Sequence, residues 1–186
     1  MSKRVLVVGG TGMLKGVSLG LVEQGYQVSV LARTPSRLNA LVAKSDGAIE
    51  PLIVNYCDAE ALKLKLKQYV QQKGLFDIAV VWVHSTAREA SFEVSKWVGS
   101  IAQPGHYFHV LGSAAADPSN TNMERLKWSA LASTFTYYEI VLGFQVEENH
   151  SRWLMHKEIS NGVLEAIEAK QERFVVGQVE PWSMCP

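Results

Sequence analysis

A glycine-rich turn follows the first apolar run of this chain. Residues 5–8 read Val-Leu-Val-Val, and an amphipathic segment begins at Leu14. Glycine suits such a turn because the backbone takes unusual dihedral angles and must approach a pyrophosphate with no Cβ in between. The N-terminus of the next helix offers free N–H groups and a partial positive charge. The pattern predicts a dinucleotide-binding loop, with a plain strand-to-helix turn as the alternative. Its residues are Gly9, Gly10, Thr11, Gly12, Met13 and Leu14.

Short apolar runs recur along the chain and alternate with segments of helical periodicity. The runs fall at residues 5–8, 28–31, 49–54, 76–83, 106–111, 135–144 and 174–176. The helical segments fall at 14–24, 35–43, 58–72 and 87–101, and a last one begins near 156. Strands that are apolar throughout are typical of a parallel sheet covered by helices on both faces. We predict an α/β fold with a Rossmann-like, doubly wound parallel sheet, in a single domain over residues 1–186.

Charge and composition exclude several classes of protein. The chain has 18 Lys and Arg residues against 18 Asp and Glu residues, which argues against binding nucleic acid or anionic membranes through bulk charge. Two cysteines, Cys57 and Cys185, are too few for a disulfide-dense scaffold, and no cluster of His, Cys and carboxylates has the spacing of metal ligands. No run approaches the roughly 18 apolar residues of a membrane-spanning helix. A soluble cytoplasmic protein is expected.

The residues after the second apolar run indicate which dinucleotide would bind. An NAD site places Asp or Glu about 20 residues after the glycine loop, where the carboxylate binds the ribose 2′-hydroxyl. Here the run ends in Arg33, Arg37 follows, and no carboxylate is present. Two guanidinium groups can pair with a 2′-phosphate. The sequence therefore favours NADP(H) over NAD(H), with two solvated arginines as the alternative.

Several of these segments together resemble the short-chain dehydrogenase/reductase superfamily. The resemblance covers residues 3–113, the dinucleotide-binding part, and leaves residues 114–186 as an atypical C-terminal part. The matching segments are Val7-Val8-Gly9-Gly10-Thr11-Gly12, Leu31-Ala32-Arg33-Thr34-Pro35-Ser36-Arg37-Leu38, Asn55-Tyr56-Cys57-Asp58, His84-Ser85-Thr86-Ala87 and Leu111-Gly112-Ser113.

The resemblance implies roles for residues at the ends of the third and fourth runs. Asn55, with Tyr56 beside it, stands where the family's Asp meets the adenine amino group, and an amide oxygen can still accept that hydrogen bond. His84 and Ser85 stand where the family usually has an Asn-Ala-Gly segment that lines the nicotinamide. The resemblance also implies a homodimer, because family members usually pair.

The chain departs from the family at its catalytic pair. The family has a Tyr general acid and a Lys four residues later on the helix after the fifth strand, but residues 114–134 contain no Tyr. The spacing does occur at Tyr69 and Lys73, on the helix between strands three and four, where we interpret it as chance. The glycine loop also differs, since three residues rather than two separate Gly12 from Gly16. The chain is therefore interpreted as a compact, atypical member whose catalytic helix is cut down.

Two residues remain as catalytic candidates. Ser113 matches the family's catalytic serine by position, although a simple loop serine is equally consistent with the sequence. His84 follows the fourth strand and could replace Tyr as the proton donor, because its ordinary pKa is near 6.5; a histidine satisfied at a strand end is the alternative. Arg152, Trp153 or His150, after the sixth strand, could contact a substrate.

Two functions remain open from sequence. The first is an NADP(H)-dependent oxidoreductase of atypical mechanism on a carbonyl-type substrate. The second is a catalytically silent NADP(H)-binding sensor or protein-interaction module, which the missing Tyr and Lys motivate. Fold alone does not decide between them.

Overall fold

The computed structural model describes residues 2–84, 87–117, 127–128, 130–148 and 150–186. The strands of the described part are β1 (Arg4–Val8), β2 (Gln27–Ala32), β3 (Ile49–Ile53), β4 (Ile78–Val81), β5 (Gly105–Leu111), β6 (Phe135–Leu142), β7 (Phe144–Glu147), β8 (His150–Trp153) and β9 (Arg173–Val176). The α-helices are α1 (Lys15–Glu23), α2 (Pro35–Lys44), α3 (Ala59–Lys73), α4 (Arg88–Ser95) and α5 (His156–Ala169). Short 3-10 turns occupy Ser113–Ala116 and Trp182–Met184.

Seven of the strands form one parallel sheet. Their order is β3-β2-β1-β4-β5-β6-β9, and every neighbouring pair is parallel. The order reverses between β1 and β4, which leaves a crevice outside the carboxyl ends of those strands where ligands bind in open α/β sheets. The prediction of a Rossmann-like, doubly wound parallel sheet is confirmed.

Both faces of the sheet are buried, which explains the uninterrupted apolar runs. Val5 and Val7 of β1 point to one core, shared with α1, α2 and α5. Leu6 and Val8 of the same strand point to the other, shared with α3 and α4. Each such side chain is fully buried and contributes about 1.5–3 kcal/mol. A strand packed on both sides has no polar face, so its sequence does not alternate.

Local signals place the helix starts correctly. The Asp58 carboxylate accepts the Ala61 N–H at 3.0 Å and so caps α3. Pro35 occupies the first turn of α2, where its missing N–H costs nothing. Gly25 ends the turn after α1 with a φ of +83°, in the left-handed region that favours glycine.

Three predicted elements have boundaries that differ from the structure by two or more residues. The helix predicted over 87–101 ends at Ser95, because the chain turns back and Phe76 N–H donates to the Trp97 carbonyl at 3.0 Å. The strand predicted over 76–83 is paired within the sheet at Ile78–Val81. The strand predicted over 135–144 ends at Leu142, because a Cβ on Gly143 would collide with the Gln178 carbonyl.

An antiparallel hairpin follows β6 that the sequence did not predict. Phe144 of β7 pairs with Trp153 of β8, and Glu147 pairs with His150. Each strand has four residues, and most of them are partly or fully exposed. Short polar strands of this kind carry too little hydrophobic periodicity to be recognised.

Candidate functional site

The predicted site residues meet at one edge of the sheet. The glycine loop follows β1, Arg33 follows β2, Asn55 follows β3 and Ser113 follows β5. Because the strands are parallel, their carboxyl ends all lie at this edge, and His84 lies beyond the end of β4. The fold thus brings together residues that are up to 104 positions apart in the sequence.

The first two glycines of the loop are required by the fold. Gly9 has a φ of +81°, and a Cβ there would lie 2.9 Å from the Trp82 carbonyl oxygen. A Cβ on Gly10 would lie 2.6 Å from the Ser18 Oγ and 2.9 Å from a methyl of Val30. These glycines allow the turn and the close approach of α1 to the sheet.

The next part of the loop is open toward the space above the sheet. Of the residues that the structure describes, a Cβ on Gly12 would meet only the Gly9 carbonyl oxygen, at 3.9 Å. Gly12 is exposed, Thr11 and Met13 are half-buried, and Leu14 is buried in the core. Among the residues the structure describes, no side chain caps α1 and its first turn holds no acidic residue. Backbone groups and a positive helix end therefore face an open space that suits a pyrophosphate, so the residues present fit a dinucleotide.

The position of Gly16 in the loop pattern is explained by packing against α5. A Cβ on Gly16 would lie 2.6 Å from the Ser160 Oγ of α5, so this glycine serves the contact between α1 and α5. The same serine hydroxyl donates to the Met13 carbonyl at 3.2 Å, so α5 supports the loop from below. Lys15 is half-buried beside Lys44, and the nearby ammonium of Lys44 lowers the pKa of Lys15. Gly16 is therefore a packing residue at the contact between α1 and α5.

The side chains predicted to select and hold the adenosine lie beyond β2 and β3. Arg33 and Arg37 are both exposed, and within the described ranges neither guanidinium is paired with a carboxylate. The Asn55 Oδ1 accepts the Cys57 N–H at 3.1 Å, so the oxygen assigned to adenine already closes a local turn, though it has a second lone pair. Tyr56 is half-buried against the core on the α3 side.

Trp82 lies between the two ends of the site, and sequence reasoning missed it. A Cβ on Gly9 would lie 3.3 Å from the Trp82 Cδ1, and a Cβ on Gly112 would lie 3.8 Å from its Cη2. The indole therefore spans the carboxyl end of β4, from the glycine loop to the end of β5. The exposed ring of His84 meets it edge-on, with centroids 6.3 Å apart. Ser85 lies outside the described residues. The sequence signal that could have identified Trp82 is its place directly after the aliphatic strand β4.

A small cavity lies at the ends of β5 and β6 and includes Ser113. Its volume is about 190 Å³. The end of β5 contributes Gly112 and Ser113, and the end of β6 contributes Leu142 and Gly143. The hairpin and the start of α5 contribute the remaining lining, which consists of Trp153, Leu154 and Ile159. The structure thus joins the predicted Ser113 to Trp153, one of the suggested substrate contacts.

Arg152, another suggested substrate contact, instead clamps the hairpin to α5. Its guanidinium lies 2.7 Å from a Glu147 oxygen and 2.9 Å from a Glu158 oxygen. The Arg152 hydrogen bond, followed by the Met155 N–H, lowers the pKa of Glu158 to about 2, and both glutamates raise the pKa of Arg152. The Met155 N–H donates to Glu158 at 2.7 Å, so Glu158 caps α5. Because its guanidinium is paired with both glutamates, Arg152 holds the segment that positions Trp153.

The tyrosines on β5 and β6 have their hydroxyls occupied elsewhere. The Tyr137 hydroxyl bonds the His109 Nδ1 at 3.0 Å, and that of Tyr138 bonds the His106 Nδ1 at 3.1 Å. Burial lowers the pKa of His109 to about 4, so its ring is neutral at pH 7. The Tyr107 hydroxyl donates to the Ser91 carbonyl. Among the described residues that border the cavity, none is a tyrosine.

The side chains of Tyr69 and Lys73, whose spacing we interpreted as chance, both have structural partners. The Tyr69 hydroxyl bonds the buried Ser29 hydroxyl at 3.0 Å, and its ring stacks on Phe76 with centroids 4.6 Å apart. Lys73 lies 3.9 Å from a Glu50 oxygen, on the side of the sheet away from the site. This pair cannot serve as the family's Tyr and Lys.

Two features of the described part of the chain concern metals and membranes. No group of three or more His, Cys, Asp or Glu residues there is arranged to hold a metal ion. No helix there combines the length and apolar character needed to cross a membrane.

Comparison with known proteins shows similarity in structure alone. No protein-family profile and no curated protein sequence matches the chain. A protein from Aeromonas hydrophila, assigned to the short-chain dehydrogenase/reductase family of oxidoreductases, matches with a TM-score of 0.65 at 17% identity, over 94% of this chain and 96% of that one. A doubly substituted short-chain dehydrogenase/reductase from Serratia marcescens matches with a TM-score of 0.68 at 15% identity, over the same two fractions. A short-chain dehydrogenase from Streptomyces avermitilis matches with a TM-score of 0.73 at 12% identity, over 95% of this chain and 89% of that one. The chain therefore has the fold of the short-chain dehydrogenase/reductase superfamily.

Proposed function

We propose that the chain is an NADP(H)-dependent oxidoreductase that interconverts a small carbonyl compound and its alcohol. The observation that carries the proposal is that an open glycine loop and a cavity containing Ser113 share one edge of the sheet, with Trp82 between them. The solved structures of the same fold that are described as dehydrogenases or reductases support a nicotinamide dinucleotide.

The residues that would hold the dinucleotide follow the order of the strands. The loop backbone and the start of α1 would bind the pyrophosphate, Arg33 and Arg37 the 2′-phosphate, and Asn55 and Tyr56 the adenine. Trp82, with His84 at its edge, would lie beneath the nicotinamide half. When bound, a reduced nicotinamide supplies a hydride to a carbonyl carbon.

Two side chains of this protein would act on the carbonyl oxygen. The Ser113 hydroxyl, in the 3-10 turn after β5, would donate a hydrogen bond to that oxygen. The Arg173 guanidinium donates to the Ala115 carbonyl at 3.0 Å and so holds this turn in place. His84 is exposed at the same edge and would supply the proton that the product oxygen takes up.

A second function is supported by a specific observation. The hydroxyls of Tyr107, Tyr137 and Tyr138 are bonded away from the cavity, and Tyr69 lies on another helix. In this second function the chain binds NADP(H) and acts only as a sensor or interaction module, because losing a proton donor lowers the rate roughly 10²–10⁴-fold. Turnover separates this alternative from the enzyme.

Calorimetric titration with NADPH and NADH tests the cofactor proposal. Arg33→Ala should weaken NADPH binding roughly 10- to 100-fold and leave NADH unchanged, because a hydrogen bond to a charged group contributes about 1.5–3 kcal/mol. Lys63→Ala, which removes an exposed cation on α3, is the matched control and should change neither affinity. If neither nucleotide binds wild-type protein, the cofactor proposal is wrong.

Oxidation of NADPH in the presence of benzaldehyde or cyclohexanone tests catalysis. Turnover that falls in Ser113→Ala and in His84→Gln, with NADPH binding retained, supports the enzyme. Tight NADPH binding with no turnover of either compound supports the sensor.

A further inference from the structure

The cavity at the ends of β5 and β6 has a distinct chemical character. Among the described lining residues, Ser113 has the one hydroxyl side chain, and it faces a set of hydrocarbon walls. Leu142, Leu154 and Ile159 provide three of these walls, and each is less than a tenth exposed. Trp153 provides a fourth wall and is 52% exposed, so it forms the outer rim. Such a lining suits an apolar ligand that presents one polar atom to the serine.

The cation nearest to this cavity in the hairpin is already neutralised. Arg152 precedes Trp153, but its guanidinium is held by Glu147 and Glu158 at 2.7 and 2.9 Å. A carboxylate or phosphate entering the cavity would lose hydration without gaining a free counter-charge among the described lining residues. Arg173, which holds the turn of Ser113, lies 3.9 Å from a Glu139 oxygen and is not among the described lining residues, so charged ligands are disfavoured.

The volume of the cavity sets the size of the ligand. An apolar cavity of about 150 Å³ is large enough for benzene. The present cavity, at about 190 Å³, has room for one six-membered ring and a small substituent.

We propose that this cavity binds an uncharged, apolar group of about the size of a benzene ring, which carries one carbonyl or hydroxyl oxygen next to Ser113. Trp153 covers the ring, and the clamp made by Arg152 keeps Trp153 in place. As a substrate site the inference rests on the proposed function, but binding to the cavity requires no nucleotide. The substrates that follow are neutral aldehydes, ketones or alcohols rather than oxo acids or sugar phosphates.

Nitrogen-15 NMR of the tryptophan indole N–H groups, without nucleotide, tests the proposal. Benzyl alcohol and benzoate have similar size and differ in charge, and the Trp153→Phe variant identifies the Trp153 signal. Benzyl alcohol should shift the Trp153 signal, and benzoate at the same concentration should not. A shift with benzoate at equal or lower concentration would overturn the proposal, and so would the absence of any shift with benzyl alcohol.

Two variants locate the binding in the cavity. Trp153→Ala should weaken benzyl alcohol binding several-fold, measured on the ligand by saturation transfer. Ile101→Ala removes another exposed apolar side chain, on the loop before β5 at the opposite edge of the sheet, and should have no effect. Equal weakening in both variants would show nonspecific binding and refute the site. Ser113→Ala gives an independent check, because loss of one hydrogen bond should weaken the alcohol with little change in overall stability.

These measurements separate the two proposals. Failure of NADPH to bind in calorimetry removes the cofactor function and leaves the benzyl alcohol shifts as they are. Absence of the shifts removes the cavity proposal and leaves the NADPH affinity as it is.

Discussion

The two ends of the site are built in different ways. At the nucleotide end, a run of six consecutive residues provides half of the predicted cofactor-binding residues, largely through its backbone. At the substrate end, the lining residues come from the turn after β5, the end of β6 and the segment from β8 to α5. Trp82 touches both ends. A site made from backbone depends on conformation, whereas a site made from side chains depends on packing, so the two ends should respond to different perturbations.

Acid should distinguish the two ends most strongly, because it should destabilise the substrate end. Burial holds the pKa of His109 near 4, against about 6.5 in the unfolded chain, and its Tyr137 partner joins β5 to β6 beneath the substrate end. Between these values the unfolded chain binds a proton that the folded chain does not. The contribution of this residue to the free energy of unfolding is fully present above pH 6.5. It is lost as the pH falls toward 4, and the loss is on the order of 3 kcal/mol.

Urea unfolding of wild type and His109→Gln across this pH range measures the difference. The variant should show a smaller loss of stability on acidification, whatever its stability at neutral pH. Equal slopes for the two proteins would mean that His109 is not held neutral by burial. Hydrogen exchange should show that β5 and β6 open before the glycine loop.

Two glycine variants test separately which parts of the glycine loop serve folding and which serve nucleotide binding. Gly9→Ala should destabilise the fold by about 2–3 kcal/mol, because the left-handed φ costs about 1–2 kcal/mol and the new Cβ meets the Trp82 carbonyl. Gly12→Ala places its Cβ in open space, so the free energy of unfolding should change by less than about 0.5 kcal/mol.

Gly12→Ala should nevertheless weaken NADPH binding, because the new methyl lies where the loop faces a ligand. Chemical unfolding and calorimetry on both variants check this. If Gly12→Ala binds NADPH like wild type, the pyrophosphate does not approach that part of the loop.

The smallest expected effect concerns the hairpin clamp. Arg152→Met removes ion pairs that are partly exposed, and such pairs contribute little to global stability. The thermal midpoint should fall slightly, and the difference from wild type should shrink in high salt. Benzyl alcohol affinity should fall more noticeably than stability, because Trp153 loses its support. An unchanged affinity would show that Trp153 is positioned without the clamp.

The features that the sequence predicted are local ones, and the features that it did not predict depend on tertiary contacts. The glycine loop, the Asp58 cap and the seven-stranded parallel sheet were predictable, because they depend on local conformation and on runs of buried residues. The hairpin of β7 and β8 was not, because its strands are short and polar. The roles of Gly16 and Arg152 were not predictable either, because each depends on a tertiary contact with a side chain of α5.

The sequence by itself determined the fold class and the edge of the sheet at which the predicted site residues gather. Apolar periodicity and glycine conformation act within a few residues, so they can be recognised along the chain. Only the tertiary structure decided that Trp82 spans both ends of the site, that Arg152 is neutralised and that Ser113 opens into an apolar cavity. These features arise from packing between distant segments, whose contacts depend on where the sheet and α5 place each side chain.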